Sequence, residues 1–268
     1  GAALGNPGEC AAHGVGGIYE RYSDDMAARG PKQIHTHTTT NSTGATTAPE
    51  VSSQGSALPV RDVHLEAAFE TVPKYFAGGD VALSHTFAML SATFPDGEDY
   101  FVRSVGAVRD QVTDPQLAAE IGDFIGQEGM HGREHRAFNA HLAGLGYPTA
   151  KVEHYTDRGY RFFERIRSPR FHLAMTAAVE HYTATLAEVL LSDPDARAVF
   201  EHDAAQRLFV WHALEESEHK AVAFDTFRHV DGGEFMRRFA MTLTHIDFVG
   251  NDRDTSALIT EWRRRLFD

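Results

Sequence analysis

The chain has 268 residues and a formal charge of −13, with 42% hydrophobic and 24% charged residues. This composition is ordinary for a soluble globular protein, and the acidic balance argues against a general nucleic-acid binder, which needs a basic face for phosphates. The single cysteine, Cys10, excludes a disulfide framework and a cysteine-based metal site. We find no apolar run that could span a bilayer and no secretory signal at the start, so we expect a cytoplasmic protein.

Two regions differ sharply in composition. Residues 1–58 are predicted to be a flexible, low-complexity tail, because the stretch from Thr36 to Ser56 is rich in threonine, serine, glycine and alanine and has almost no large apolar residue. Residues 59–268 are predicted to form a helical domain. No part of the chain shows the sustained alternation and hairpin signals of a β-sheet.

The predicted helices follow one another from about Val60 onwards. A first helix is indicated at Val81–Leu90, and Pro95 is expected to start or kink the next turn. The second long helix has a cap and a first position at Asp114-Pro115, and it should stop at Gly144 or Gly146. The remaining predicted helices are Ala150–Ile166, a helix from Ser168-Pro169 to Asp193-Pro194, Asp203–His229, Glu234–Phe248 and Ser256–Phe267.

A Glu-x-x-His motif occurs twice, as Glu128 with His131 and as Glu216 with His219. Residues three apart lie on the same face of a helix, so both side chains of a pair can reach one ion. Each pair interrupts the apolar stripe of its own helix. Because a buried carboxylate without a partner is costly, polar groups at such core positions indicate a bound partner.

Two other predicted helices offer single carboxylates at core-facing positions, Glu98 and Glu180. One glutamate from each of two helices, with Glu-x-x-His from each of two more, is the pattern of di-iron carboxylate proteins. The sequence therefore predicts an all-α fold, a ferritin-like four-helix bundle with additional flanking helices, that holds two metal ions. Four carboxylates and two divalent ions would balance in charge, and the mixed ligands favour iron, with manganese or zinc as the other options.

Three neighbouring residues bear on the ligand set. Glu215 competes with Glu216 because it lies near the same face, and we favour Glu216 because it is closer to the centre of the stripe. His212 lies one turn before Glu216 and is predicted to be an additional nitrogen ligand. His135 lies one turn beyond His131, and the sequence leaves open whether it supports the site, faces a substrate or is an ordinary core or surface histidine.

Four stretches of the chain resemble the bacterial family named "predicted metal-dependent hydrolase", and the likeness covers about residues 60–250. The stretches are Pro73–Gly79, Phe94–Phe101, Ile125–His135 and Trp211–Phe224. The ligand pattern also resembles that of the di-iron N-oxygenases that oxidise arylamines such as p-aminobenzoate, whose last element is His-x-x-x-Glu-x-x-His. This resemblance implies seven metal ligands: Glu98, Glu128, His131, Glu180, His212, Glu216 and His219.

The leading hypothesis for function is an enzyme, a non-haem di-iron oxidase or oxygenase that uses O₂ to oxidise a small organic substrate. The alternative is a hydrolase in which two zinc, manganese or iron ions activate water. A further alternative is non-catalytic metal handling of the ferritin type. The sequence is compatible with a homodimer, and it identifies neither the electron donor nor a general acid or base.

Overall fold

The structure is a computed structural model that describes residues 58–246. Within this range the fold is helical without β-strands, and the prediction of an all-α protein is confirmed. A lone antiparallel bridge joins Ala77 to Phe200. None of the helices in residues 58–246 combines the length and the apolar character that crossing a membrane requires. Cys10, nearly all of the predicted tail and the helix predicted at Ser256–Phe267 lie outside the described residues.

Most of the predicted helix bounds agree closely with the structure. Asp114 and Ser168 cap two long helices, since their side chains accept from the backbone N–H of Gln116 at 2.9 Å and of Phe171 at 3.3 Å. The helices are α1 (Glu66–Phe69), α2 (Val81–Gly106), α3 (Pro115–Gly144), α4 (Thr149–Ile166), α5 (Pro169–Ser192), α6 (Pro194–Ala198), α7 (Asp203–His219) and α8 (Val222–His229), with a 3-10 turn at Arg109–Gln111. Residues 234–246 are also helical.

Two predicted boundaries are wrong. Helix α2 does not restart at Pro95 but continues through it. A proline has no N–H to donate to the carbonyl four residues earlier, and that carbonyl, Ser91 O, instead accepts from Asn139 Nδ2 at 3.0 Å. The single helix predicted over Asp203–His229 is divided, because the chain turns at residues 220–221 between α7 and α8.

Four helices pack in a closed ring. Helix α2 contacts α3, α3 contacts α7, α7 contacts α5, and α5 contacts α2. Helix α4 lies against α2 and α3, while α8 packs against α5 and α3. The arrangement is therefore a four-helix bundle with flanking helices, as the sequence predicts.

The apolar core is divided into two clusters along the bundle. One cluster contains Phe101, Ile121 and Leu173, and the other contains Phe138 and Phe209. On each of the four bundle helices, the predicted metal-binding side chains lie between these two clusters or at their border. The bundle therefore contains a buried polar layer with apolar packing on both sides.

Candidate metal centre

The seven residues predicted as metal ligands come together in this polar layer. They form two groups, and within each group one ligand atom per residue lies within 4.8 Å of all the others. All seven side chains are buried, and the most accessible of them, His212, is only 4% exposed. The first group is Glu98, His131 and His212, and the second is Glu128, Glu180, Glu216 and His219.

Glu216 lies between the two groups. Its Oε1 is 3.0 Å from Nε2 of His212 and 3.9 Å from Nδ1 of His131, whereas its Oε2 is 3.6 Å from Nε2 of His219. Helix α7 makes this arrangement possible, because residues spaced by three and four share one helix face. One carboxylate can therefore serve both groups, with one oxygen directed to each.

The inward atoms of this cluster lack hydrogen-bond partners among the described residues. These atoms are both carboxylate oxygens of Glu98, Glu128 and Glu180, Oε2 of Glu216, Nδ1 of His131 and Nε2 of His219. Buried polar atoms are nearly always satisfied in folded proteins, and each exception calls for a partner such as an ion. Carboxylates mixed with imidazoles suit iron, manganese or zinc. The residues present therefore fit a pair of such ions.

The outward nitrogen of each histidine in the cluster is held by another side chain. In metal sites this second nitrogen usually donates a hydrogen bond, which fixes the tautomer and the ring orientation. Nε2 of His131 lies 3.0 Å from Oε2 of Glu215, and Nδ1 of His219 lies 3.0 Å from Oε1 of Gln127. Nδ1 of His212 lies 2.8 Å from Nε2 of His135. Each ring is thereby left with one nitrogen that faces the cluster.

Glu215 holds His131 from outside the cluster and belongs to neither group. It also accepts from Nη1 of Arg61 at 3.0 Å, and Arg61 pairs with Glu218 at 2.7 Å. Burial raises the pKa of Glu215, and the hydrogen bond and charge of Arg61 oppose this rise. The geometry thus places Glu216 in the cluster and Glu215 outside it.

His135 belongs to a chain of hydrogen bonds that determines the tautomer of His212. Asn139 Nδ2 donates to Ser91 O at 3.0 Å and to Glu153 Oε1 at 2.9 Å, and two acceptors at one end fix the orientation of the amide. Asn139 Oδ1 therefore accepts the single hydroxyl proton of Ser91 at 2.7 Å. Ser91 Oγ then accepts from Nδ1 of His135 at 2.8 Å, which leaves His135 Nε2 to accept from Nδ1 of His212. Nε2 of His212 consequently faces the cluster with its lone pair.

The carboxyl groups of the layer resist ionisation in the absence of a cation. Burial raises the pKa of three of them well above the ordinary value, and the charge of neighbouring carboxylates adds to the rise; these are Glu98, Glu128 and Glu180. Burial acts in the same direction on Glu216, but the neighbouring His212 and His219 hold its pKa well below the ordinary value. Two divalent ions would supply the positive charge that the other three carboxylates need.

Burial disfavours the protonated form of two histidines of the layer, and a metal ligand must be the neutral imidazole. Burial lowers the pKa of His131 and of His135 well below the ordinary value, and the nearby His212 lowers both further. The rings of His131 and His212 stack with their centroids 4.2 Å apart. Both rings therefore present imidazole nitrogens to the same group.

A cavity of about 980 Å³ opens onto the first group. It lies between α2, α4, α5 and α7, and Glu98, His212 and Glu216 form part of its wall. The rest of its lining is mostly apolar. Thr183 on α5 also lines it, whereas Thr176 is bonded to Ser104 Oγ at 2.6 Å and lies outside it. The cavity therefore reaches one side of the cluster.

The side chains that hold the cluster from outside were not predicted from the sequence. They are Arg61, Ser91, Gln127, Asn139 and Glu153. Gln127 precedes a predicted ligand, and Asn139 lies one helical turn beyond His135, so these two had a weak local signal. The others have none, because their partners are far away in the chain.

The raised carboxyl pKa values make the metal-free protein sensitive to pH. Unfolded glutamates ionise near 4.5, whereas the folded carboxyls keep their protons to higher pH, so the contribution of these carboxyls to stability is greatest below that value and falls as pH rises. Glu180→Gln removes one such group. We expect its free energy of unfolding in a chelator to vary less with pH than that of the wild type. The exposed Glu188 on the same helix provides the control, Glu188→Gln.

We expect bound metal to stabilise the folded protein, because it supplies the positive charge that the ionised carboxylates need. A metal concentration of about one hundred times Kd stabilises a folded protein by about 2.7 kcal/mol, and we expect the Glu180→Gln variant to lose most of this gain. Denaturant titrations with and without metal measure both effects. Equal pH dependence in the wild type and Glu180→Gln would contradict the assignment of raised carboxyl pKa values to this layer.

The hydrogen-bond chain behind His212 predicts a role for Ser91 in metal affinity. Ser91→Ala removes the acceptor that fixes the tautomer of His135, and changes of this kind typically cost about 10–100-fold in affinity. Competition with a coloured chelator measures the loss. Ser104→Ala, another buried serine of α2 whose hydroxyl bonds Phe101 O and Thr176, should leave affinity unchanged. The same loss in both variants would show that the hydrogen-bond chain has no specific effect.

Comparison with known proteins identifies a family but no individual relative. No curated protein and no solved structure matches the chain. The family model described as "Predicted metal-dependent hydrolase" matches residues 59–266, and these residues contain all seven clustered side chains. The match covers most of the chain and confirms the family resemblance that the motifs indicate. This protein belongs to the family of predicted metal-dependent hydrolases.

Proposed function

We propose that this protein is a metal-dependent enzyme that holds two metal ions and acts on a small, largely apolar organic molecule. One observation carries the proposal: a buried cluster of carboxylates and imidazoles, whose inward atoms lack partners among the described residues, forms part of the wall of an apolar cavity. Metal ions at this position would supply Lewis-acid or redox chemistry.

The protein's own side chains have separable roles in this proposal. Glu98, His131 and His212 would hold one ion, the second group would hold the other, and Glu216 would contribute an oxygen to each. Aromatic rings exclude water around them: Phe94 lies 4.6 Å from the ring of His212, and Phe124 lies 4.8 Å from the ring of His219. A site enclosed in this way strengthens the electrostatic effect of the ions.

Hydrolysis is the first candidate reaction, because the family description supports it directly. Two ions about 3.5–4 Å apart can activate a water molecule and stabilise a leaving oxygen. The two groups offer the glutamate and histidine ligands that zinc, manganese or iron would need for this purpose. The apolar cavity would then select esters or related compounds with an apolar substituent.

Oxidation with O₂, the leading hypothesis from the sequence, is the second candidate. Two observations favour it: the ligand set suits iron, and the polar groups along the cavity are few, with Tyr160 and Thr183 among them. An apolar cavity of this kind suits a substrate without hydrolysable polar groups. This reaction needs an electron donor.

Metal analysis tests the proposal before any substrate is known. Protein purified without added metal should contain two metal ions per chain by elemental analysis, because each group provides its own ligands. Glu128→Ala should lower that number, and Glu188→Ala on the exposed face of α5 should not. Absence of bound metal, combined with unchanged stability of Glu128→Ala and Glu216→Ala, would refute the proposed function.

The two candidate reactions differ in their dependence on the metal. Hydrolysis predicts that redox-inert zinc supports turnover of neutral esters and that O₂ is not needed. Oxidation predicts that the reduced iron form consumes O₂ with a transient change in its visible spectrum, and that the zinc form is inactive. Ester turnover by the zinc form without O₂ would eliminate oxidation as the main reaction, and the opposite pattern would eliminate hydrolysis.

A further inference from the structure

The cavity beside the metal centre is elongated along α2. The α2 residues that line it include Leu83, Phe87, Leu90, Phe94 and Phe101, which recur every three to seven positions and share one helix face. At 1.5 Å per residue, the distance from Leu83 to Phe101 is about 27 Å along the helix axis. The shape is therefore a channel rather than a compact pocket.

Helix α5 lines the same channel and runs antiparallel to α2. Val179 packs with the apolar cluster that contains Phe101, whereas Leu190 packs with the cluster that contains Phe87. These two α5 residues are separated by about 17 Å along the helix axis. Both walls therefore extend over several helical turns, and the length of the cavity does not depend on one helix alone.

The metal centre lies near one end of the channel. Glu98 is only about 4.5 Å along α2 from Phe101, but about 22 Å from Leu83. At the distant end Leu83, Leu186 and Val189 are 41–53% exposed, whereas Phe101 is buried. A molecule that enters between the exposed residues would reach the metal centre with its leading end, and most of its length would contact only the channel.

The channel lining is almost free of charge. Among the described residues that line it there is no lysine, arginine or aspartate, and its carboxylates are confined to Glu98 and Glu216 at the metal centre. Two divalent ions would neutralise the four glutamates of that centre. A carboxylate, phosphate or ammonium group along the channel would thus be desolvated without a partner, which is costly. A carboxylated arylamine such as p-aminobenzoate is therefore a poor fit.

We propose that the channel binds an uncharged, long aliphatic chain lengthwise, with the reacting end of the chain at Glu98, His212 and Glu216. This substrate class rests on the proposed function, since it places the reacting group beside the metal ions. It is compatible with an ester in hydrolysis and with a terminal carbon in oxidation. The chain is held by apolar contact along α2 and α5, so affinity depends on its length.

Neutral alcohols of increasing length test this inference on the metal-loaded protein. Calorimetry or displacement of an apolar fluorescent dye would compare hexanol, decanol and hexadecanol with the compact aromatic naphthol. Burial of each methylene contributes about 0.8 kcal/mol, which corresponds to about a fourfold gain in affinity. We expect this gain along the series until the channel is filled. Equal affinity across the alcohols, or naphthol that binds as tightly as decanol, would overturn the proposal.

A blocked channel gives the sharper test. Leu90 is about 12 Å along α2 from Glu98, so Leu90→Trp should weaken hexadecanol binding by roughly sixteen-fold or more, the contribution of at least two methylenes, and leave hexanol binding unchanged. Thr86→Trp adds the same ring to an exposed position of α2 outside the channel and should have no effect. Leu190→Trp blocks the channel from α5 and replaces Leu90→Trp if that variant does not fold.

Metal content measured in the same samples separates this inference from the proposed function. A clear dependence on chain length in protein that binds no metal would support the channel and refute the metal-dependent reaction. Two bound metals with no dependence on chain length would refute the aliphatic chain and leave the metal-dependent reaction intact. Unchanged hexadecanol affinity in both blocked variants would also refute the aliphatic chain.

Discussion

The structure depends on one electrostatic constraint, the burial of four carboxylates in a layer between two apolar halves of a helical bundle. The desolvation of each such charge costs several kcal/mol in a folded protein. Only Glu216 has its pKa held low, by the neighbouring His212 and His219, whereas the oxygens of Glu98, Glu128 and Glu180 have no hydrogen-bond partner among the described residues. A cation resolves the conflict, since it satisfies the oxygens and neutralises their mutual repulsion. This explains why each of the four bundle helices contributes to the layer.

The same constraint extends outward through the hydrogen bonds of the histidines. Pro95 cannot donate to Ser91 O, and the carbonyl freed in this way holds the amide of Asn139. Asn139 in turn orients the hydroxyl of Ser91 and, through His135, the ring of His212. A proline in the middle of α2 therefore has a structural consequence at the metal-facing nitrogen of a residue on α7. The orientation of His212 on α7 therefore depends on side chains of α2 and α3.

Local signals in the sequence were sufficient for much of the fold and of the cluster. Caps such as Asp114 and the Glu-x-x-His spacing act within one or two helical turns, so they could be read without knowledge of the tertiary structure. The choice of Glu216 over Glu215 also followed from helical phase. The contacts of Arg61 with Glu215 and of Ser91 with His135 join residues far apart in the chain, and no periodicity encodes them. The continuity of α2 through Pro95 depends on such a distant contact, with Asn139, and was therefore missed.

The charge of the polar layer and the shape of the channel act together on the orientation of a substrate. With two divalent ions bound, the cluster would be neutral, and the channel lining has no lysine or arginine, so a polar substrate would find no charged group that could orient it. Orientation must then come from the form of the cavity, which follows one face of α2 and lies mostly on one side of Glu98. Only about one helical turn of the channel lies beyond Glu98, at Phe101, so the proposed long substrate would present an end, and not its middle, to the cluster. The asymmetry of the channel therefore favours a proposed reaction at a chain terminus, for hydrolysis and oxidation alike.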